Sequence, residues 1–270
     1  MTRAWKPLLL LITILGALVM FFPFLWSFVT SISPGTGLSS TPRFFPENPS
    51  WAAYLTLFEK MKFARVVTNS VILAVSTTAI QLTTSSLAAY VFSRMPFKGR
   101  GLVFAGYLAT MMIPMQVLMV PLFAQMRDFG LVNNYLGVLL PSMASAFGIF
   151  LIRQAFNAVP RELDEAARLD GAGHFRIFSR ILLPLVTPSL ATFAVFSFMS
   201  SWNGFLWPLV ILRSAEMKTL PLALADLQGQ YVVQWDVMMA GSIISILPML
   251  AIYIFAQKYV IQGVANTGLK

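Results

Sequence analysis

Apolar residues run along this chain in six long blocks, each free of Asp, Glu, Lys, Arg and His. The blocks are residues 7–42, 66–93, 101–126, 129–152, 181–212 and 237–257. A helix needs about 20 apolar residues to cross the hydrocarbon of a bilayer, so every block is long enough. The alternating segments of about 10 residues that mark a membrane β-barrel are absent. The pattern predicts an all-α polytopic membrane protein with six transmembrane helices. They fall at about 8–31, 66–92, 102–125, 134–154, 185–211 and 238–257.

Proline and small polar residues refine these spans. Pro23 predicts a kink in span 1. Span 2 is rich in hydroxyl residues around Thr77, Thr78, Thr83, Thr84 and Ser85, which let helices approach and hydrogen-bond across the contact. Span 3 contains Pro114 and Pro121, span 4 Pro141, span 6 Pro248, and span 5 holds Trp202, Asn203, Trp207 and Pro208. The external segment 33–64 opens with Pro-punctuated loop. Trp51, Tyr54, Leu55 and Phe58 then recur at helical spacing. They predict a short amphipathic helix whose aromatics either anchor at the interface or pack on a partner subunit. No low-complexity tract or repeat divides the chain, so residues 1–270 read as one membrane domain.

Composition agrees. The 270 residues are 57% hydrophobic and 11% charged, with mean hydropathy +0.75; a soluble domain carries about 25% charged residues. The net charge of +9 could suggest an acidic partner such as nucleic acid, but its distribution points elsewhere. With six spans and both termini on one side, Arg3, Lys6, Arg94, Lys98, Arg100, the five arginines of the fourth loop, Lys258 and Lys270 share a face, 12 of the 19 basic residues. The acids split four and six, leaving +8 on that face and +1 on the other. The positive-inside rule places the +8 face, with the N- and C-termini, in the cytoplasm. No nucleic-acid partner is implied. Arg3 and Lys6 precede an apolar run to about Val29 that exceeds a signal-peptide core and lacks a cleavage pattern; it reads as a retained span. The absence of cysteine removes disulfides and thiolate metal sites.

The chain is poor in reactive groups. His174 is its one histidine, so a His-based metal cluster or a Ser-His-Asp triad is out of reach. No Gly-x-x-x-x-Gly-Lys-[Ser/Thr] phosphate loop occurs. The six blocks lack the ionisable residues that proton-coupled carriers keep inside the membrane, which disfavours the competing reading of an ion-coupled secondary carrier. The driving energy is expected from outside the chain.

The polar exception is the loop at about 157–184. Its acids Glu162, Asp164 and Glu165 crowd a first turn, where the helix dipole favours negative charge. Pro160 suits the first helical position, and Gly171 suits the left-handed residue that ends a helix. A helix over 160–170 follows, with Leu163, Ala166, Ala167 and Asp170 near one face. The paired alanines would leave a low strip over which a cleft of another protein could close. A second helix starts near His174, where Phe175, Phe178, Ile181 and Leu182 recur at helical spacing, and leads through Pro184 into span 5. Taken alone, such a charged stretch also suits a merely solvated loop.

The motif Glu165-Ala166-Ala167, three residues, Gly171, nine residues, Ile181-x-Leu183-Pro184 matches the EAA motif of ABC importer permeases. The surrounding Pro160-Arg-Glu-Leu-Asp-Glu-Ala-Ala-Arg-Leu-Asp-Gly-Ala resembles the carbohydrate-uptake, maltose-type branch. So do Asn69-Ser70, Ile113-Pro114, Val120-Pro121, Asn133-Asn134-Tyr135, Pro141, Trp202-Asn203, Pro248, and Gly268 with Lys270. Gly173-His174 departs from the pattern, where a small polar residue is expected. The resemblance implies a type I ABC importer permease, the smaller second permease of a heterodimer in the bacterial inner membrane. Its implied partners are a homologous permease, two ATP-binding subunits, an extracytoplasmic binding protein, a carbohydrate substrate and the lipid bilayer. ATP and magnesium belong to the partner subunits, with no cofactor and no catalysis on this chain. Glu165, Ala166, Ala167 and Gly171 carry over as coupling residues, with Arg168 and Asp170 as polar contacts. His174 either caps the second helix or touches the ATPase. Trp202 and Asn203 are the candidates for the substrate path, Asn203 alternatively bonding a neighbouring helix. Gln228, Gln230 and Gln234 are placed to meet the binding protein. Glycerol-3-phosphate and glycerophosphodiesters remain alternative cargo within the same class.

Overall fold

The computed structural model describes residues 5–34, 45–46, 48–228 and 234–268, without the side chains of residues 60, 228 and 259–268. The expectations for Arg3, Gln230 and Lys270 lie outside the described residues, as does the side chain of Gln228. Among the described residues every regular element is helical. Three helices are long and apolar enough to cross a membrane alone: α1 (Lys6–Ser31), α3 (Phe63–Arg94) and the first part of α14 (Trp235–Gly268), over Trp235–Lys258. Between α1 and α3 lies the short α2 (Ala52–Met61). Among the described residues three further helix pairs, each bent at a short break, are together long and apolar enough, and counting each pair as one span gives six.

Each bend has a local cause. In span 3, α4 (Arg100–Ala109) runs through a 3-10 turn (Thr110–Met112) and then turns 98° into α5 (Met115–Asp128). Pro114 excludes its predecessor from helical geometry, and Ile113 is extended at φ −88°, ψ 114°. Pro121 and Pro23, by contrast, sit inside helices that continue past them. Span 4 is α6 (Tyr135–Leu139), a 3-10 turn (Leu140–Ser142) containing Pro141, and α7 (Ala146–Ala158), bent by 47°. Ser145 caps α7 by accepting from the Gly148 N–H at 3.1 Å.

Span 5 differs from the expected single helix over 185–211. A helix from His174 to Leu185 turns 80° at Val186 into α11 (Thr187–Trp202). Pro184 and Pro188 flank that bend. At its other end α11 stops at Trp202, and residues 203–205 separate it from α12 (Leu206–Ile211). The charge-free block was uniform in composition, so the sequence signal could not resolve these breaks.

The chain divides into two compact units. The first comprises Met1–Val67 and Leu220–Met249. In it, the Ser31 and Tyr54 hydroxyls share a hydrogen bond of 2.8 Å. Helix α2 buries Ala53, Leu57 and Met61 while Trp51 and Leu55 stay exposed. After residue 219 lies α13 (Leu220–Gln228), which buries Leu220, Leu222 and Ala223. Gly241 of α14 lets α13 approach, because a Cβ there would lie 2.2 Å from Leu224 Cδ2.

The second unit comprises Thr68–Thr219 and Leu250–Lys270. Its core joins Ala89 and Tyr90 of α3, Phe104 of α4, Ile149, Ile152 and Phe156 of α7, and Phe193 of α11. Ala167, Ile177, Phe178 and Leu182 of the polar loop belong to the same cluster. Gly148 gives Phe193 its place: a Cβ there would fall 2.2 Å from the ring.

Candidate functional site

The polar loop folds as a short helix locked at both ends. After α7, Val159 is extended and Pro160 precedes the cap residue Arg161 of α8 (Glu162–Leu169). Pro160 therefore stands just outside the helix rather than at its first position. Arg161 is already helical at φ −73°, ψ −21°, and its carbonyl accepts from the Asp164 and Glu165 N–H groups at 2.9 and 3.1 Å. The acids Glu162, Asp164 and Glu165 occupy the first turn, as the helix dipole favours. At the C-terminus Gly171 takes φ +79°. Its N–H donates to the Arg168 carbonyl at 3.0 Å, and Ala172 N–H donates to the Ala167 carbonyl at 2.9 Å. That pair of bonds is a Schellman motif, and glycine supplies the left-handed residue it needs.

Two connections fix α8 to the helices around it. Ala167 is 9% exposed and packs into the core of the second unit. Asp164, 4% exposed, faces the same way. Its Oδ2 lies 3.0 Å from Nε of Arg94, the last residue of α3. The Arg94 guanidinium also donates through one terminal nitrogen to the carbonyls of Phe156 and Val159, at 2.8 and 2.7 Å. One buried arginine thus ties the end of α3 to the end of α7 and to α8. Nearby, Arg153 of α7 donates to the Phe92 carbonyl at 3.1 Å and lies 4.2 Å over the Phe104 ring.

Gly173 caps the next helix, α9 (His174–Arg176). His174 does not take that capping role, because its Nδ1 shares a 3.0 Å hydrogen bond with the Tyr90 hydroxyl on α3. Tyr90 packs edge-on against Phe178, with centroids 5.4 Å apart. From Ile177 to Leu182 the helix widens to π geometry before α10 (Leu183–Leu185). The Ile181-x-Leu183-Pro184 end of the motif therefore lies on a helical connector to span 5, with Ile181 and Leu183 half-buried and Pro184 exposed.

Burial sorts the predicted residues. Glu165, Ala166, Arg168, Asp170 and Gly171 are exposed. Leu169, 90% exposed, and Phe175, 76% exposed, add apolar surface beside them. Ala167 faces inward, so the outward strip holds one alanine rather than two. Asp164 and Ala167, three residues apart, form the anchoring face, and the spacing rule grouped Ala167 with the wrong neighbours. Arg94 and Tyr90 went unnoticed. The only local signal for Arg94 was its position at the end of a charge-free span.

The substrate-path candidates separate. Trp202 is 2% exposed and stacks on Phe198 at 5.8 Å. Asn203 is exposed, and its Nδ2 donates to the Met199 carbonyl of its own helix at 2.9 Å. Neither of its recorded bonds reaches another helix. The polar contacts between helices come from elsewhere. Gln81 of α3 donates to the Ser142 carbonyl at 2.7 Å and accepts from the Ser197 hydroxyl at 2.8 Å. Thr84 donates to the Met143 carbonyl at 2.6 Å. The span 4 break frees these carbonyls, and hydroxyl and amide side chains re-satisfy them, as nonaqueous surroundings demand. Asn133, left-handed at φ 59°, accepts from the N–H groups of Arg213 and Ser214 at 3.0 Å each.

Among the described residues the architecture is thus a set of apolar helices, several of them bent, with a capped polar helix fastened to α3 and α7. The comparisons agree. Residues 81–266 match the family of binding-protein-dependent transport system inner membrane components. The arabinooligosaccharides transport system permease protein AraQ of Halalkalibacterium halodurans is 37% identical over 278 aligned positions that cover all of both chains. The lactose transport system permease protein LacG of Rhizobium radiobacter is 35% identical, covering 94% of this chain and 92% of its own. A chain of a bacterial ABC transporter involved in the import of the acidic polysaccharide alginate superposes with a TM-score of 0.82. It is 28% identical, over 96% of this chain and 98% of that one. The chain belongs to the binding-protein-dependent transport system inner membrane component family, as a permease subunit of the ABC importer type.

Proposed function

We propose that this chain forms half of the translocation path of a carbohydrate importer and that α8 receives the force of ATP hydrolysis carried out on separate subunits. The observation that carries the reading is the two-sided character of α8. Its outer side offers Glu165, Ala166 and Asp170, while its inner side is fastened by Asp164 and Ala167 to α3 and the core. A push on the outer side is delivered to the spans without slack.

The remaining parts follow from the same reading. The +8 face, including both termini and α8, lies in the cytoplasm of a bacterial inner membrane. A homologous permease completes the path, two ATP-binding subunits hold ATP and magnesium, and an extracytoplasmic binding protein delivers cargo. Closure of the ATP sites moves α8, and the bent spans switch between inward- and outward-facing. The relatives' named cargoes, arabinooligosaccharides and lactose, favour a sugar. Asn203 is the exposed amide on the path, and Trp202 reaches the path only if α11 and α12 rearrange.

The test is Glu165→Lys or Gly171→Pro in the assembled transporter. Glu165→Lys reverses an exposed charge, and Gly171→Pro cannot adopt φ +79°. Both should lower substrate-stimulated ATP hydrolysis and co-purification of the ATP-binding subunits. Wild-type values of both would remove α8 from the coupling role.

A further inference from the structure

A basic hollow lies beside α8, at the turn between α3 and α4. Lys98, Arg100 and Arg161 line it together with Pro96 and Phe97. Among the described residues none of the three cations is in an ion pair. Of the acids in the first turn of α8, Asp164 is paired with Arg94, and Glu162 and Glu165 form no ion pair with the three cations. The hollow therefore concentrates uncompensated charge.

Apolar side chains line it at Pro96 and Phe97 and follow Arg100 in the chain. Phe97 is 41% exposed, and Leu102 and Val103, in the first turn of α4, are 81% and 54% exposed. A free anion has no use for that surface, and the acidic face of a soluble protein has little. A molecule with an anionic head and hydrocarbon tails fits both parts. Basic pockets at the cytoplasmic ends of membrane helices hold such headgroups.

We propose that Lys98, Arg100 and Arg161 bind the phosphate headgroup of an anionic phospholipid whose acyl chains lie along Leu102 and Val103. The bound lipid would sit between the α3–α4 turn and the start of α8, where it steadies the coupling helix against the membrane surface. The inference rests on the membrane placement above and is independent of the cargo.

The full-length chain, with the subunits that co-purify with it, is incubated in detergent with equal amounts of phosphatidylglycerol and phosphatidylcholine, and retained lipids are counted by native mass spectrometry. The wild-type protein should prefer phosphatidylglycerol. Lys98→Gln with Arg161→Gln should cut that preference about 25-fold, at about fivefold per basic side chain near an anionic lipid surface. Lys98→Arg with Arg161→Lys should keep it. Both replaced residues are exposed, so the variants should match the wild type in yield and elution. An unchanged preference in the Gln variant overturns the proposal. So does full displacement of the lipid by inorganic phosphate, which would make this a free-anion site. Loss of the ATP-binding subunits with lipid retention unchanged would assign the hollow to an acidic protein face instead. Retention of both lipids without preference defeats the headgroup site alone, whereas retention of neither defeats the membrane placement itself.

Discussion

Removing either partner of the Arg94–Asp164 pair should loosen α8 more than any change on its exposed side. The side chains are 3% and 6% exposed, and breaking a buried ion pair by deleting one member costs about 3–5 kcal/mol. The two deletions are not equivalent. Asp164→Ala leaves Arg94 with the Phe156 and Val159 carbonyls as acceptors, so its charge keeps partial compensation and the cost should sit near 3 kcal/mol. Arg94→Ala strands the carboxylate and also the Val159 carbonyl, an unsatisfied group adding about 1–3 kcal/mol, whereas the Phe156 carbonyl keeps the Val159 N–H as donor at 3.1 Å. Arg94→Ala should therefore be the more damaging change. Arg94→Met with Asp164→Leu should recover most of the loss, because an apolar replacement leaves no stranded charge. The assay is thermal unfolding of the detergent-solubilised protein for the four members of the Ala cycle and the apolar double variant. Additive single effects, with a coupling below about 0.5 kcal/mol, are what independent sites give and would refute the anchoring argument. So would a larger loss for Asp164→Ala than for Arg94→Ala.

Gly148→Ala should destabilise through overpacking, since its Cβ would fall 2.2 Å from the Phe193 ring; about 1–3 kcal/mol is expected, and pairing it with Phe193→Leu should return part of that in the same unfolding assay. Gln81→Leu removes the donor to the Ser142 carbonyl and the acceptor of the Ser197 hydroxyl. A loss of about 1–2 kcal/mol is expected, and wild-type stability would show that the break in span 4 does not depend on this amide.

The spans were legible because crossing a membrane demands long charge-free blocks, and that demand is written residue by residue. Their internal bends were only partly legible. Proline marks both true breaks and tolerated positions: Pro114 stops a helix, whereas Pro121 and Pro23 lie within continuous ones. The difference lies in what re-satisfies the freed backbone groups, which is a tertiary matter. Helix α8 was readable from its acids and Gly171, because caps are local. Its orientation was not, because Asp164 and Ala167 turn inward toward Arg94 and the core. Arg94 lies 70 positions earlier in the chain, and nothing near it in sequence names its partner. Trp202 and Asn203 look alike as candidates on paper, and the end of α11 buries one and exposes the other.

The absence of native cysteine permits a direct test of whether the outer side of α8 meets the ATP-binding subunits. Single cysteines at Glu165, Ala166 and Asp170 would be treated with a short cross-linker that couples thiol to amine in the assembled transporter, with Asn203→Cys as the control. Cross-links from the three α8 positions to an ATP-binding subunit, changing in yield when ATP is bound, are the predicted result. Absence of such links from all three positions in a complex that still hydrolyses ATP on substrate addition would contradict it.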